Sequence, residues 1–555
     1  MSTLPSSSLT SQDLKSADSI YKIFFWGFAL TILFAMPVMS QSFGITWDEW
    51  VHAHYGKLTL RYFLTGGKDH ACFGEELSGY RLNFYGHLFD TIAAFIYGIV
   101  SGSLHTAVFE DLSWINFYET RHAVNSLFGF LAMLCTGLLA KELGGWRAGL
   151  LAIVFIFLSP RFLGHSMNNP KDIPFAAAYI YSIYHMIRFI KQLPEINWKT
   201  AFGLMVGIAM AINIRIGGLL LIVYLISFLG IHAFVKTIQK EKSCHWPNIF
   251  GVAAIVSIGG YFGGLILWPY GHIAPFTNPF LALKEMSNYG LMINVLFEGK
   301  LIVCASVPWY YIPKWILITT PFFIISGWFA AVFSSTKKYF NWVLVSMVLL
   351  TALFPVVYVI LKKSALYDEW RHLLFVFPPL AVIAALGWEF CFRTISNQRQ
   401  KIILSACLVF LLAEPASWMI KNHPHEYVYF NQIVGGLDGA FGNYETDYWG
   451  NSTRLASEWL RDYIKKEGIT KRFVVSSDGS VMQSAYYLKT QFPKQYQPLL
   501  LSVQGPRGWD YGLVLSRNWS KKDLLSKAWP PEGTIHTVMA DHTILCAVVK
   551  NPKRL

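Results

Sequence analysis

The sequence predicts a polytopic α-helical membrane protein with a small α/β domain at its C-terminal end. Only 14% of its 555 residues are charged, whereas soluble domains carry about 25%. Hydrophobic residues make up 54% and aromatic residues 16%, which suits lipid contact and aromatic belts at the membrane surfaces. Apolar windows of about 20 residues recur up to residue 420 and are absent beyond it. These observations exclude a soluble globular protein and a disordered chain.

Each apolar window is long enough to cross the hydrocarbon core of a bilayer as a helix. No small-residue cleavage site cleanly follows the first window, so we expect an uncleaved anchor rather than a signal peptide. Residues 1–22 are then a cytoplasmic tail, and residues 23–420 form the membrane module. The eleven windows lie near 23–39, 120–140, 148–166, 174–190, 200–213, 217–235, 249–268, 313–333, 341–361, 371–391 and 402–420.

The orientation depends on residues 84–103, which are apolar but contain a histidine and an aspartate. Counting this segment as a span would invert every later loop. If it lies along the outer membrane surface instead, fifteen lysines and arginines fall in cytoplasmic segments and five in the three short outer loops. The positive-inside rule favours this arrangement. It places the loop 43–118, with an interfacial helix, and the domain 421–555 on the outer side.

The last part of the chain, residues 421–555, alternates β-type runs with helical patterns and is rich in charges. This alternation predicts a small α/β domain. The β-type runs are 472–476, 511–515, 535–539 and 543–549, and the helical patterns lie near 452–466 and 480–489.

The net charge of +13 comes from 46 basic and 33 acidic residues, and most of the excess follows from membrane topology. No basic run is dense enough to indicate nucleic acid as a partner. The seven cysteines are scattered, and Cys72 with Cys304 is the one pair worth considering as a disulfide. Five histidines in the first outer loop have spacings that match no helical ligand pair, so we expect no metal cofactor. They are His52, His54, His70, His87 and His105.

Two adjacent carboxylates, Asp48 and Glu49, follow the first span between tryptophans. Thr46 and Glu49 have the spacing of a capping box, and Asp48 suits the positive end of a helix. A carboxylate at a helix start in a half-buried cleft is also oriented to accept a proton. Both interpretations stay open, because one does not exclude the other.

A further carboxylate, Asp172, lies in the short outer loop 168–174. It has the position of a cap for the following helix, with Pro174 in the first turn. The predicted topology also places Asp172 on the same side of the membrane as Asp48. The two side chains could therefore line one cleft.

Basic residues near the outer membrane surface form a third group. Arg215 interrupts a long apolar stretch, where an arginine normally has a partner or an anionic ligand. Its guanidinium suits a phosphate group, whereas Arg371, next to His372, could equally be an interfacial residue that extends to water. Basic groups that hold a phosphate and a carboxylate that deprotonates a hydroxyl would together transfer a group from a lipid phosphate. A single base predicts direct displacement with inversion.

The order and spacing of several motifs resemble the GT-C superfamily of polyprenyl-phosphate-sugar-dependent glycosyltransferases. Within it, the chain is most similar to protein O-mannosyltransferases and aminoarabinose transferases (glycosyltransferase family 39). The resemblance covers most of residues 22–460. The matching motifs are TWDE at 46–49, TRHAVNSLFG at 120–129, AKELGG at 140–145, LSPR at 158–161, PKDIPF at 170–175, the stretch 371–380, HPHEYVYFN at 423–431 and ETDYWG at 445–450.

The resemblance implies transfer of a sugar from an undecaprenyl- or dolichyl-phosphate type donor to a hydroxyl of a protein, lipid or glycan. It further implies that the protein lies in a bacterial inner membrane, with the reaction on the outer side. Asp48 is implied as the base, with Glu49 and Asp172 supporting acceptor and donor. The implied partners of the donor phosphate are Arg215, Arg371, His372 and Lys171.

One motif departs from the family pattern. Relatives often carry a Lys-Pro-Pro-Leu-like element where this chain has FYGHL at 84–88. Some relatives bind a divalent metal and others need none, so the resemblance does not require a metal. We therefore expect none here.

Two other classes of protein remain as alternatives. A transporter of an anionic or lipid-linked solute would have buried charges along its path, internal repeats and broken helices near the membrane midplane. The sequence shows no convincing repeat, and its informative charges lie at the outer rim. A membrane scaffold with an outer binding domain would explain the C-terminal domain but not Arg215.

Overall fold

A computed structural model describes most of the chain. Residues 1–10 of the predicted cytoplasmic tail lie outside the described residues, and so do residues 75–80 and 106–115 of the predicted loop 43–118. The described residues are 11–74, 81–105, 116–239, 245–287, 290, 292–334, 339–479, 481–499 and 508–552, without the side chains of 11–17 and of Asn518.

Among the described residues, seven helices are long and apolar enough to cross a membrane. Two helix pairs also pass when each is taken as one bent span, which gives nine. Trp146–Phe157 meets Pro160–Asn168 at 68°, and Tyr311–Thr319 meets Phe322–Ser334 at 114°. The prediction of a polytopic helical membrane protein is thereby confirmed. The seven helices are Asp18–Ser40, Phe117–Gly144, Ile216–Ile238, Trp246–Leu265, Trp342–Lys362, Arg371–Thr394 and Gln398–Asn422.

The remaining two of the eleven predicted windows are helical but do not qualify as spans by length and composition. Trp198–Ile214 has 17 residues, and Asp172–Gln192 carries His185, Arg188 and Lys191. Most side chains of Asp172–Gln192 are buried against other helices. His185, Arg188 and Lys191 are not among these buried residues and lie in the C-terminal half of the helix.

The ambiguous segment 84–103 contains the helix Leu88–Val100, which has 13 residues. At 1.5 Å per residue this helix reaches about 20 Å, well short of a hydrocarbon core of about 30 Å. Ile99 and Val100 are exposed, while Asp90 is buried against the protein. A short helix with one apolar exposed side agrees with the predicted interfacial placement, which stays a prediction.

Tight backbone contacts fix the loop before this helix. A Cβ atom on Gly86 would lie 1.9 Å from the carbonyl oxygen of Asn213, so a residue with a side chain cannot occupy this position without movement. The close approach brings residue 85 next to the end of the helix Trp198–Ile214. Tyr85 and Arg215 therefore become neighbours.

The C-terminal domain contains a mixed five-stranded sheet with strand order β4-β3-β5-β7-β6. Strand β3 pairs in parallel with β4 and β5, and β7 pairs antiparallel with β5 and β6. The predicted runs correspond to β3, β5, β6 and β7, whereas β4 was not predicted. A separate antiparallel pair, β1 with β2, lies between two membrane helices and was also not predicted. The strands are β1 Asn294–Phe297, β2 Lys300–Val303, β3 Phe473–Ser477, β4 Tyr496–Leu499, β5 Tyr511–Leu515, β6 Thr534–Ala540 and β7 Thr543–Lys550.

Two helices of this domain accompany the sheet, Thr453–Lys466 and Val481–Lys489. Both were predicted near these positions. The first presents buried Ala456, Leu460 and Ile464 to the same core as the sheet. Within the described ranges, the remaining α-helices are Glu49–Leu64, Pro269–Ile273, Asn278–Ser287, Gly436–Ala440 and Lys521–Leu524.

The C-terminal domain holds the segment that precedes Asp48. The backbone N–H of Gly44 donates to the Asn451 side chain at 2.7 Å, and Gln483 donates to the carbonyl oxygen of Ile45 at 2.6 Å. The two parts of the chain are thus joined directly beside the candidate base. The considered disulfide does not form, because Cys72 and Cys304 are both free thiols.

Candidate active site

A cavity of about 110 Å³ lies where the first outer loop, the start of the helix Asp172–Gln192 and the start of the helix Arg371–Thr394 meet. Five of the seven site residues predicted from the sequence line it. The lining residues are Thr46, Asp48, Val51, His52, Leu82, Tyr85, Asn169, Pro170, Lys171, Arg215, Tyr367, Arg371, His372 and Trp449.

Asp48, the candidate base, lines this cavity. Half of its side-chain surface is accessible, and its carboxylate makes no capping hydrogen bond to the helix Glu49–Leu64, which it precedes. The cavity wall partly desolvates this half-accessible carboxylate and raises the pKa of Asp48, whereas the nearby Arg371 acts in the opposite direction. A carboxylate with a raised pKa holds a proton more readily than an exposed one, which suits a general base.

Asp172 lies behind the cavity lining and joins two arginines. Arg215 forms an ion pair with one carboxylate oxygen, and Arg371 Nη1 lies 3.4 Å from the other. Asn169 caps the helix in its place, because its side-chain oxygen accepts from the Asp172 backbone N–H at 2.9 Å. The Asp172 carboxylate is therefore used to position guanidinium groups and not to cap the helix.

Arg371 is buried and held from several sides. Its Nε and Nη2 atoms lie 3.0 Å and 2.8 Å from one oxygen of Asp368. Its Nη2 atom is 4.0 Å from Asp48 Oδ2, and its guanidinium lies 4.9 Å from the centroid of the Trp449 ring. The alternative of a residue that extends to water does not fit a side chain that is only 7% exposed.

Lys171, Arg215 and Arg371 together form one side of the cavity, the basic wall. The Nζ atom of Lys171 lies 2.9 Å from His52 Nε2 and 3.5 Å from the centroid of the Tyr85 ring. Burial and the charge of Arg215 lower the pKa of Lys171 to about 7. Burial and Lys171 lower the pKa of His52 well below its usual range, so this histidine is neutral and accepts the lysine hydrogen bond.

Glu49 is the predicted site residue that the structure turns away from the cavity. Its carboxylate accepts from the Thr46 backbone N–H at 3.2 Å, which is one half of the predicted capping box. It also lies 3.1 Å from His122 Nε2 and 3.6 Å from Arg121 Nε. Glu49 therefore stabilises the turn that carries Asp48, and a direct role in the reaction stays a prediction.

Several residues of the site were not found by sequence reasoning. His52 was considered only as a metal ligand, and Tyr85 lies in the motif that departs from the family pattern. Asp368 could have been noticed, because it lies three residues before Arg371. Arg517, which forms an ion pair with Asp368, gives no local signal, since its position depends on how the C-terminal domain packs.

The side chains of the site also bear on whether a metal ion could bind there. Within the part of the chain that the structure describes, no group of three or more His, Cys, Asp and Glu side chains is arranged to hold a metal ion. Independence of a metal cofactor stays a prediction.

Comparison with known proteins agrees with the resemblance drawn from the motifs. Residues 118–259 match the family model described as dolichyl-phosphate-mannose-protein mannosyltransferase, which confirms the resemblance over that part of the chain. A search of curated protein sequences gives no significant match.

Two solved structures are similar over most of this chain. The first is ArnT from Cupriavidus metallidurans bound to undecaprenyl phosphate, with 12% identity and a TM-score of 0.46 over 95% of this chain and 98% of that one. The second is the oligosaccharyltransferase AglB from Archaeoglobus fulgidus, in complex with an inhibitory peptide and a dolichol-phosphate. Its identity is 11% and its TM-score 0.45, over 88% of this chain and 69% of that one. Both TM-scores lie below 0.5, so neither likeness assigns a role to any residue here.

Proposed function

We propose that the protein is an inverting glycosyltransferase that moves a sugar from a polyprenyl phosphate to a hydroxyl acceptor. The observation that carries this proposal is the set of charged side chains that line one cavity. A half-accessible carboxylate, Asp48, faces a wall that contains Lys171, Arg215 and Arg371. A proton acceptor and a phosphate-binding wall are the two parts that this reaction requires. The family model that matches residues 118–259 supports the same reaction class.

The basic wall is suited to the phosphate of the donor. Asp172 keeps Arg215 and Arg371 side by side, so their donors converge without the entropy cost of ordering two free side chains. Lys171 approaches from the side of Tyr85, whose ring face stabilises an ammonium group. His372 also lines the cavity and lies beside Arg371.

The proposed step is a single displacement. The acceptor oxygen attacks the anomeric carbon while Asp48 takes its proton, and the bond from that carbon to the phosphate oxygen breaks. The bonding electrons leave with the polyprenyl phosphate, whose added negative charge is stabilised by Arg215, Arg371 and Lys171. One attack without a covalent sugar–enzyme intermediate inverts the anomeric centre.

The predicted orientation gives this reaction its location. We propose that the N-terminus is cytoplasmic and that the cavity opens on the outer side of a bacterial inner membrane, as the distribution of basic residues predicts. The acceptor is then a protein, lipid or glycan of the cell envelope, and the donated sugar is a hexose or a pentose.

The test uses the purified protein in lipid nanodiscs with synthetic undecaprenyl-phosphate sugars. Native mass spectra should show a bound polyprenyl phosphate that is lost in Arg215→Ala. Transfer or slow hydrolysis of the sugar should release polyprenyl phosphate with the wild type and not with Asp48→Asn. Absence of lipid binding and of any turnover with a panel of donor sugars would overturn the proposal.

A transporter is retained as a second candidate because of the two bent helix pairs, at 68° and 114°. Such breaks are typical of transporter binding sites. Uptake of a labelled anionic or lipid-linked solute into proteoliposomes, without covalent change to that solute, would favour this alternative.

A further inference from the structure

We propose that Arg517 of the C-terminal domain is a positioning residue for the donor site, acting through Asp368 on Arg371. This inference rests on the proposed function, because it concerns the same phosphate-binding wall. It assigns the C-terminal domain a part in the reaction itself, in addition to any contact that this domain makes with an acceptor.

Arg517 lies in the turn Ser516–Asn518, directly after strand β5. One end of its guanidinium forms an ion pair with Asp368 Oδ1, and the other end donates to the backbone carbonyl of Tyr448. The side chain is 14% exposed, and its guanidinium lies 5.9 Å from the ring centroid of Trp47, the neighbour of Asp48. The arginine therefore reaches from the sheet into the wall of the site.

Asp368 is shared between two arginines. Its Oδ1 atom faces Arg517, whereas its Oδ2 atom accepts from Arg371 Nε and Nη2. Without Arg517, the full charge of this carboxylate would act on Arg371 alone. Sharing it with a second guanidinium leaves Arg371 with more net positive charge toward a donor phosphate.

The backbone at this position supports a functional reason for the arrangement. Asp368 and Glu369 have φ angles of 52° and 62°, which is the left-handed region that residues with a side chain rarely adopt. Two such residues in succession persist only when their surroundings hold them. Asp368 is held by Arg371 and Arg517, and Glu369 forms a buried ion pair with Arg161.

Glu445 could compete with Asp368 for Arg517, since its Oε1 atom lies 3.7 Å from Arg517 Nε. Burial raises the pKa of Glu445, so this carboxyl is a weaker competitor for the guanidinium than an ordinary glutamate. The groups that act on Glu445 are Arg517, Asp368 and Arg371, and it faces Tyr311 as well. Asp368 also contacts the guanidinium of Arg517 more closely than Glu445 does, so it is the principal partner of this arginine.

The C-terminal part of the chain contacts the site at a second place. Trp449 covers the guanidinium of Arg371, and the hydroxyl of Tyr448 lies 2.8 Å from His165 Nε2. His165 Nδ1 in turn lies 3.2 Å from the side-chain nitrogen of Asn169, which donates to Asp172. Arg517 therefore belongs to a continuous set of contacts between this domain and the two central arginines.

The experiment compares Arg517→Ala, Arg517→Lys and the control Arg454→Ala in the full-length protein, with a synthetic undecaprenyl-phosphate sugar as donor. Arg454 is a matched control because it is another arginine of the C-terminal domain that contacts the membrane module. It donates to the Phe43 carbonyl oxygen at 2.9 Å, in the segment before Asp48. We expect Arg517→Ala to raise the apparent donor KM by about tenfold. This is the size expected for losing one charge-assisted interaction, here that between Arg517 and Asp368. Arg517→Lys should recover part of that loss, and Arg454→Ala should leave the donor KM close to that of the wild type.

Thermal unfolding of each variant separates positioning from structural support. If Arg517→Ala does not fold, Arg517→Gln provides the same comparison, because it keeps a hydrogen-bond donor without the charge. A donor KM in Arg517→Ala equal to that in Arg454→Ala, or no recovery with lysine, would overturn the inference while leaving the proposed function intact. A wild-type protein that neither binds nor turns over the donor would instead contradict the proposed function.

Discussion

Two of the clusters in which a buried carboxylate joins two arginines lie in different parts of the described structure, and they differ in what surrounds them. In the site cluster, Asp172 joins Arg215 and Arg371. In the second cluster, near the opposite ends of the helices, Glu389 joins two other arginines, with a distance of 2.7 Å to the first and 2.6 Å to the second. These are Arg147 and Arg393.

The arginines of the second cluster contact other parts of the protein and line no described cavity. Arg393 also donates to the Gly144 carbonyl oxygen at 2.6 Å, and Arg147 lies over the rings of Tyr21 and Phe392. The site cluster instead borders the cavity and adds Asp48 and Lys171 to it. Buried ion pairs alone therefore do not identify an active site, whereas charged groups that face an open cavity do.

The largest expected difference between the clusters concerns Asp48. Asp48→Asn removes the proton acceptor without removing a contact that holds the fold, so turnover should fall by roughly 10²–10⁴-fold while the melting temperature stays near that of the wild type. Release of polyprenyl phosphate from a synthetic donor measures the rate. Retained turnover in this variant would show that another group takes the proton.

The donor phosphate should depend on the arginines of the site cluster. Arg215→Ala removes a guanidinium that faces the cavity, and we expect the apparent donor affinity to fall by about 10–100-fold, with a smaller change in kcat. The corresponding change in the second cluster, Arg393→Ala, should leave donor affinity unchanged. Equal effects of the two substitutions on donor affinity would contradict the assignment.

The second cluster should matter for stability. Glu389→Gln leaves two arginines without a counter-charge, and we expect the free energy of unfolding to fall by about 1–3 kcal/mol, since both arginines are partly exposed to solvent. Thermal or denaturant unfolding in detergent measures the loss. The turnover per folded molecule should not change, and a lowered kcat without a stability loss would reverse the interpretation of this cluster.

The smallest expected effect is a change of the apparent donor KM with pH. An ammonium group carries charge below its pKa and loses it above, and the pKa of Lys171 is about 7. The apparent donor KM should therefore rise as the pH increases through 7, severalfold at most, because Arg215 and Arg371 keep their charges. Lys171→Arg stays charged over this range, so its KM profile should be flatter, and an unchanged profile would argue against Lys171 as a phosphate partner.

Local features of the fold could be predicted from the sequence alone. The length and apolarity of its windows gave the membrane helices, because crossing a bilayer demands these properties of each segment alone. Strands β3, β5, β6 and β7 also followed from local pattern. Topology rules then placed Asp48, Asp172, Arg215 and Arg371 on one side of the membrane, although these residues lie far apart in the chain.

The tertiary structure establishes which side chains meet. It turned Glu49 toward Arg121 and away from its neighbour Asp48, and it brought Tyr85 under Lys171 through the close approach at Gly86. It also joined Arg517 to Asp368, 149 residues away in sequence. Helix periodicity and hydrophobic length are properties of neighbouring residues, whereas these contacts depend on the packing of separate helices and of the C-terminal sheet, which no local pattern encodes.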